Sequence, residues 1–128
     1  MLVNIIQTEG HDLEAVIDVQ GCRLRVCDGV SSPEGPLAPG SLVDVDFGWL
    51  GLEDASWEEV FRRNRERRIG LEPLGGWSYS AYGRVVSVDP VRVDLGIIEI
   101  AGPVHSHDAR LIGEYVAWQV DRLDMNGL

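Results

Sequence analysis

Two histidines one residue apart and followed by an aspartate, His105, His107 and Asp108, are the side chains best suited to holding a metal ion. Imidazole nitrogens and a carboxylate all ligate zinc or iron, and a bound metal would support hydrolysis. Such a centre needs three or four ligands. The only other histidine is His11, remote in sequence, so an exposed polar loop is the leading reading of this tract. Paired carboxylates offer acid–base chemistry when held ~5–10 Å apart in a cleft. Asp44 and Asp46 alternate along one strand, and Glu14 and Asp18 along another. They fall on the solvent-facing side, and Asp18 is expected to face Arg23. The chain has no Gly-x-Ser-x-Gly, phosphate-loop, Gly-x-Gly-x-x-Gly or His-Glu-x-x-His pattern. Catalysis is therefore the weaker expectation, and no cofactor is expected. Cys22 and Cys27 stand five apart, which points them to opposite faces of a strand and prevents a bridge between them.

The strongest signal concerns partners. The 128 residues carry a net charge of −10, contain no lysine, and place five of their 11 arginines at Arg62, Arg63, Arg65, Arg67 and Arg68. Residues 62–68, with Glu66, hold a net +4, so the rest of the chain carries −14. Self-pairing explains much of the cluster. Glu58–Arg62 and Glu59–Arg63 have the favourable i, i+4 order on a helix, which leaves Arg65, Arg67 and Arg68 without a local carboxylate. A strongly negative surface repels phosphates and attracts basic partners.

Three functional expectations follow. The first is a small, acidic, non-enzymatic interaction protein that docks a basic protein partner through Glu14, Asp44, Asp46 and Glu53. Small acidic bacterial proteins that neutralise toxins are similar in this gross, inhibitor- or immunity-like character. The second is a barrel that binds single-stranded nucleic acid or an oligosaccharide through Arg65, Arg67, Arg68, Trp77 and Tyr79, although the net charge makes nucleic acid the less expected ligand. The third and weakest is a metal-dependent hydrolase at His105 and His107. The sequence lacks a secretory n-region at its start, and no apolar run approaches the ~18 residues of a membrane span. The expected location is thus the cytoplasm, away from membranes, as a monomer or homodimer.

Period-two alternation sets the elements that position these residues. Leu13, Ala15, Ile17 and Val19 alternate with polar neighbours, and after Gln20-Gly21 the pattern resumes at Cys22, Leu24 and Val26. The spacing predicts a hairpin with Val19 opposite Cys22, Ile17 opposite Leu24 and Ala15 opposite Val26. Residues 2–8 precede it as a strand, and 29–40 read as an exposed Pro/Gly loop. Val43, Val45, Phe47 and Trp49 face inward on the next strand. Ser56 and Glu59 form a capping-box pattern that opens a helix over about 56–68. A second hairpin is expected at Asp89-Pro90, with Val88 opposite Val93 and Val86 opposite Leu95. A bulge is expected after Gly96, a polar loop over 101–110, and a last strand from Leu111 to Leu123. The whole reads as one mainly β domain: a small antiparallel barrel or curled sheet of about seven strands, with one helix over an open end. In topology it resembles the OB type of small barrel.

Overall fold

The computed structural model describes residues 1–52 and 54–128 of the chain. Ten strands form two curled sheets. The first comprises β1 (Leu2–Thr8), β2 (Glu14–Val19), β3 (Cys22–Gly29), β4 (Leu42–Leu50) and β10 (Arg122–Gly127). These close into a barrel in the order β1-β2-β3-β10-β4. The second comprises β5 (Gly70–Gly75), β6 (Ser78–Ser87), β7 (Arg92–Asp94), β8 (Glu99–Ala101) and β9 (Tyr115–Val120). Its long strand β6 carries β9 on one edge and β5, then β7, along the other.

The β2–β3 hairpin has the expected register, Val19 to Cys22, Ile17 to Leu24 and Ala15 to Val26. Gln20 and Gly21 both take positive φ, at 52° and 87°, as a tight two-residue turn requires. The inward sets of the two sheets merge into one core. Val3, Ile5, Ile17, Val26, Val45, Leu123 and Met125 fill the barrel, and Ala81, Val85, Val93, Ile100, Val116 and Val120 line the second sheet. Each large aliphatic side chain buried this way contributes ~1.5–3 kcal/mol.

Several expectations need correction. The count is ten strands rather than seven, and one barrel pair, β3 with β10, is parallel. The interval 91–100 is itself a hairpin, because Leu95 N–H reaches the Ile98 carbonyl and folds β7 back on β8. The interval 111–123 breaks at Asp121, where the chain passes from the second sheet into the barrel. In β6 the buried phase is Tyr79, Ala81, Val85, not Val86 and Val88. The observed partners are Val85 with Val93 and Ser87 with Arg92. Val86 is the extra residue of a bulge, and that residue shifts the register.

The helix, α1, runs only from Trp57 to Arg62. Ser56 caps it as expected, accepting a hydrogen bond from the Glu59 N–H. Its stop is a buried asparagine. Asn64 Oδ1 accepts the Arg68 N–H, and its Nδ2 donates to the Arg68 and Val116 carbonyls at 3.0 and 2.9 Å. One carboxamide thus holds a non-helical turn, with Arg67 at φ 57°, and pins it to β9. The helix packs on β9 and does not cover an open end of the barrel. Among the described residues no helix is long and apolar enough to cross a membrane.

Candidate functional site

The structure disperses the acidic residues. Asp44 lies at the Leu2 end of β1 and Glu14 beside its Thr8 end, six strand residues or roughly 20 Å apart. Each already meets a cation. Asp44 accepts from the Met1 amine at 2.7 Å, Asp46 lies 3.8 Å from Arg92, and Glu14 accepts from Arg25 at 2.8 Å. The remaining member of that set, Glu53, lies outside the described residues. Asp18, expected to face Arg23, does so in register, but its carboxylate accepts the Gly21 N–H and closes the turn.

The histidine tract is used locally. His107 Nδ1 stands 3.1 Å from Asp89. Asp108 accepts three side-chain hydrogen bonds and one backbone bond from Arg110, and this guanidinium holds the Asp108 carboxyl below its usual range. Among the described residues no three His, Cys, Asp or Glu side chains gather to hold a metal ion.

The arginine and aromatic residues separate into two places. Tyr79 is buried, and its hydroxyl donates to the Arg25 carbonyl and accepts the Arg25 N–H at 2.9 and 2.8 Å. Burial pushes its phenol up, and the ring is structural. Trp77 sits at the far end of the β5–β6 hairpin, roughly 15 Å along the strand from Arg68, with Arg122 over its ring at 5.9 Å. The predicted patch therefore does not assemble. A different one does. Arg68 lies over Tyr82 at 4.0 Å, bridging to Glu72 at 3.1 Å, and Arg67 lies over Tyr115 at 5.8 Å. Arg84 faces Tyr115 across the β6–β9 ladder. Arg65 lies beside this face, in a hollow with Arg67 and Tyr115. Tyr82 and Arg84 are two apart on β6 and so share a side; that spacing is the signal in the sequence that could have found them.

A groove separates the β2–β3 side of the barrel from β5 and the β7–β8 turn. It consists of two adjoining hollows of about 430 and 480 Å³ that share Arg23, Leu24, Pro73 and Tyr79, a size typical of ligand sites. Ile6, Val16, Leu71 and Ile97 give it apolar walls. In a chain with 21 acidic residues none of its lining residues among those described is acidic, while Arg23 and Arg25 are both present. Glu14 holds the Arg25 guanidinium from outside the groove, so Arg23 is the cation without a carboxylate partner among the described residues.

Two strand edges border the groove. β10 pairs with β3 only at Cys27, Asp28 and Gly29, so the outer edge of residues 22–26 has no strand beside it. β5 pairs on one edge only. Cys22 is an exposed free thiol on this groove, whereas Cys27 is buried. Burial pushes the Cys27 thiol up against the lowering field of Arg122.

A buried carboxylate holds the neighbouring loop. Asp28 is fully buried, and its Oδ1 accepts the Val30 and Ser31 N–H groups at 2.8 Å each. Its Oδ2 accepts the hydroxyls of Ser31, at 2.6 Å, and Thr8. Burial alone would raise the Asp28 carboxyl; the Ser31, Thr8 and Val30 donors outweigh it and hold the group below its usual range. The Ser31 hydroxyl also receives the Leu37 N–H, so the 29–40 loop is anchored at its base. A comparison with known proteins finds no matching family, no matching curated protein and no matching solved structure.

Proposed function

We propose that this chain is a small non-enzymatic interaction module that binds a segment of a partner protein in the groove between the barrel and β5. One observation carries the reading: the groove has apolar walls, is of ligand size, and among the described residues has no acidic lining in an otherwise strongly acidic protein. The barrel order, with β3 parallel to β10, agrees with an OB-type barrel, whose strand 2–3 face binds oligonucleotides and oligosaccharides. The groove is lined from β2 and β3, so this likeness supports a ligand site there and not a peptide over another ligand. Docking of a basic partner on the acidic exterior draws less support, because Glu14 lies far from Asp44 and Asp46 and is already paired with Arg25. The test is selection of random-sequence peptides on the immobilised protein. Peptides that bind the groove compete with a bulky maleimide at Cys22 and lose binding to Leu71→Glu, while Asp44→Asn with Asp46→Asn leaves them unaffected. Selected peptides indifferent to both groove perturbations would remove the reading.

A second reading rests on Arg67, Arg68 and Arg84 beside Tyr82 and Tyr115. Guanidinium and aromatic faces together suit single-stranded nucleic acid or an oligosaccharide. Glu72 at Arg68 and the net charge of −10 oppose it. Titration of a short single-stranded oligonucleotide into wild type and Arg84→Ala at low salt decides the matter: equal, weak retention of both would discard this face as a binding site.

A further inference from the structure

We infer that the groove takes its occupant as an added β-strand, paired to the open edge of β3 at Arg23, and that this occupant is an extended segment of another protein carrying a carboxylate opposite the Arg23 guanidinium. The inference rests on the groove reading above and specifies its chemistry.

The backbone supplies the first argument. Residues along an antiparallel strand alternate, one pointing N–H and C=O at its partner and the next pointing both away. The Tyr79 hydroxyl contacts both the N–H and the C=O of Arg25, so Arg25 points away from β2 and into the groove. Arg23, two residues earlier on the same strand, therefore points the same way. No side chain serves Arg23 as Tyr79 serves Arg25 among the described residues, and β10 pairs with β3 only from Cys27 onward. An unpaired donor and acceptor on one strand residue are what an incoming extended chain binds first.

The second argument is the opposite wall. β5 also presents an edge without a strand partner, but Pro73 removes a donor from β5, which blunts it for pairing. The added strand thus hydrogen-bonds to β3 and rests its side chains against β5. Alternate side chains of the strand meet Leu24, Leu71 and Ile97 on the apolar side. A second copy of this chain is disfavoured by its charge of −10 and by the proline on β5.

Charge supplies the third. With no acidic lining residue and no carboxylate within ion-pair distance of Arg23 among the described residues, the Arg23 guanidinium attracts an incoming carboxylate here. A polynucleotide is disfavoured, because its repeated phosphates need several cations and stacking rings, and the groove offers one buried tyrosine.

The experiment uses the intact, unlabelled protein and peptides from the random library; loss of binding after a bulky maleimide is attached to Cys22 marks a groove binder. The expected result is enrichment of Asp or Glu alternating with apolar residues, and at least tenfold slowing of Arg23 amide hydrogen exchange on binding. The Leu24 amide, already paired with Ile17 in β2, stays unchanged. Arg23→Gln weakens the selected peptides three- to tenfold, and N-methylation of alternate peptide amides abolishes binding. Peptides blocked by the Cys22 adduct that carry no acidic bias, or leave the Arg23 amide unprotected, overturn strand addition while leaving the groove reading intact. No selected peptide blocked by the Cys22 adduct would sink the groove reading itself. An oligothymidylate that binds more tightly than any peptide and is blocked by the adduct would overturn the peptide occupant.

Discussion

Replacing Asp28 tests whether one buried carboxylate holds the base of the 29–40 loop. Asp28→Ala leaves two backbone N–H groups, that of buried Ser31 and that of part-buried Val30, without their acceptor, and strands the Ser31 and Thr8 hydroxyls beside a small cavity. Each buried donor left unsatisfied costs about 1–3 kcal/mol. The hydroxyls can rotate toward other acceptors, so the backbone pair dominates and the expected loss is about 3–4 kcal/mol. Asp28→Asn keeps an oxygen for the two N–H groups but loses the charge and puts an NH2 donor where Oδ2 accepted the Ser31 and Thr8 hydroxyls, which must turn to let their oxygens accept, for an expected loss of about 1–2 kcal/mol. Urea unfolding monitored by tryptophan fluorescence reads both. Acid supplies the second arm. The folded-state pKa of Asp28 lies below its ordinary value, so its stabilisation is fully present above the unfolded value, about 3.9. It is lost as pH falls through the lower, folded-state value. The gap between wild type and Asp28→Asn should be flat from pH 7 to about 5 and should narrow in more acidic solution. A gap that widens in acid, or an Asp28→Ala protein as stable as wild type, would refute the assignment of charge and donors.

Further perturbations follow from the same contacts. Asn64→Ala removes the carboxamide that ends α1 and ties it to β9; it should cost about 2–3 kcal/mol in chemical denaturation and speed exchange of the Arg68 amide. Gly83→Ala should cost about 2–4 kcal/mol, because a Cβ there meets the Asp94 carbonyl and the Val93 and Leu95 side chains; thermal melting reads it, and an unchanged midpoint would show that β7 can move aside. Tyr79→Phe deletes the hydroxyl that serves both backbone groups of Arg25; it should cost about 1–2 kcal/mol and make the Arg25 amide exchange as freely as that of Arg23.

What the sequence disclosed was what neighbours in sequence decide. The β2–β3 register follows from alternation and a glycine at the turn, and the N-cap of α1 follows from Ser56. The inward face of β4 was legible for the same reason, Val45 and Phe47 being buried and Asp44 and Asp46 exposed. The end of α1 was not, because Asn64 is a stop signal only when a carbonyl 52 residues away stands ready to accept from it. The β3–β10 pairing joins distant parts of the chain and leaves no local pattern. Asp28 could have been found: an aspartate followed three residues later by serine at the head of a Pro/Gly loop is the local side-chain-to-backbone motif that folds such a base. The groove could not, since β3 and β5 meet across it only after the second sheet has closed on the barrel.

The treatment of sheet edges then gives the groove its meaning. An open strand edge invites pairing with other chains, and natural sheets blunt theirs. Here a single side chain does so at each place. The Trp49 indole donates to Ala101 at the end of β8. Pro73 interrupts β5, and the Tyr79 hydroxyl satisfies Arg25 on β3. Tyr79 reaches one residue of β3 and leaves Arg23 open two positions away. Edge protection that stops at one residue leaves Arg23 as the place on β3 where an incoming extended chain meets an open donor and acceptor. Tyr79→Phe would extend that open stretch to Arg25, so it should weaken the fold and lengthen the edge available to a bound strand.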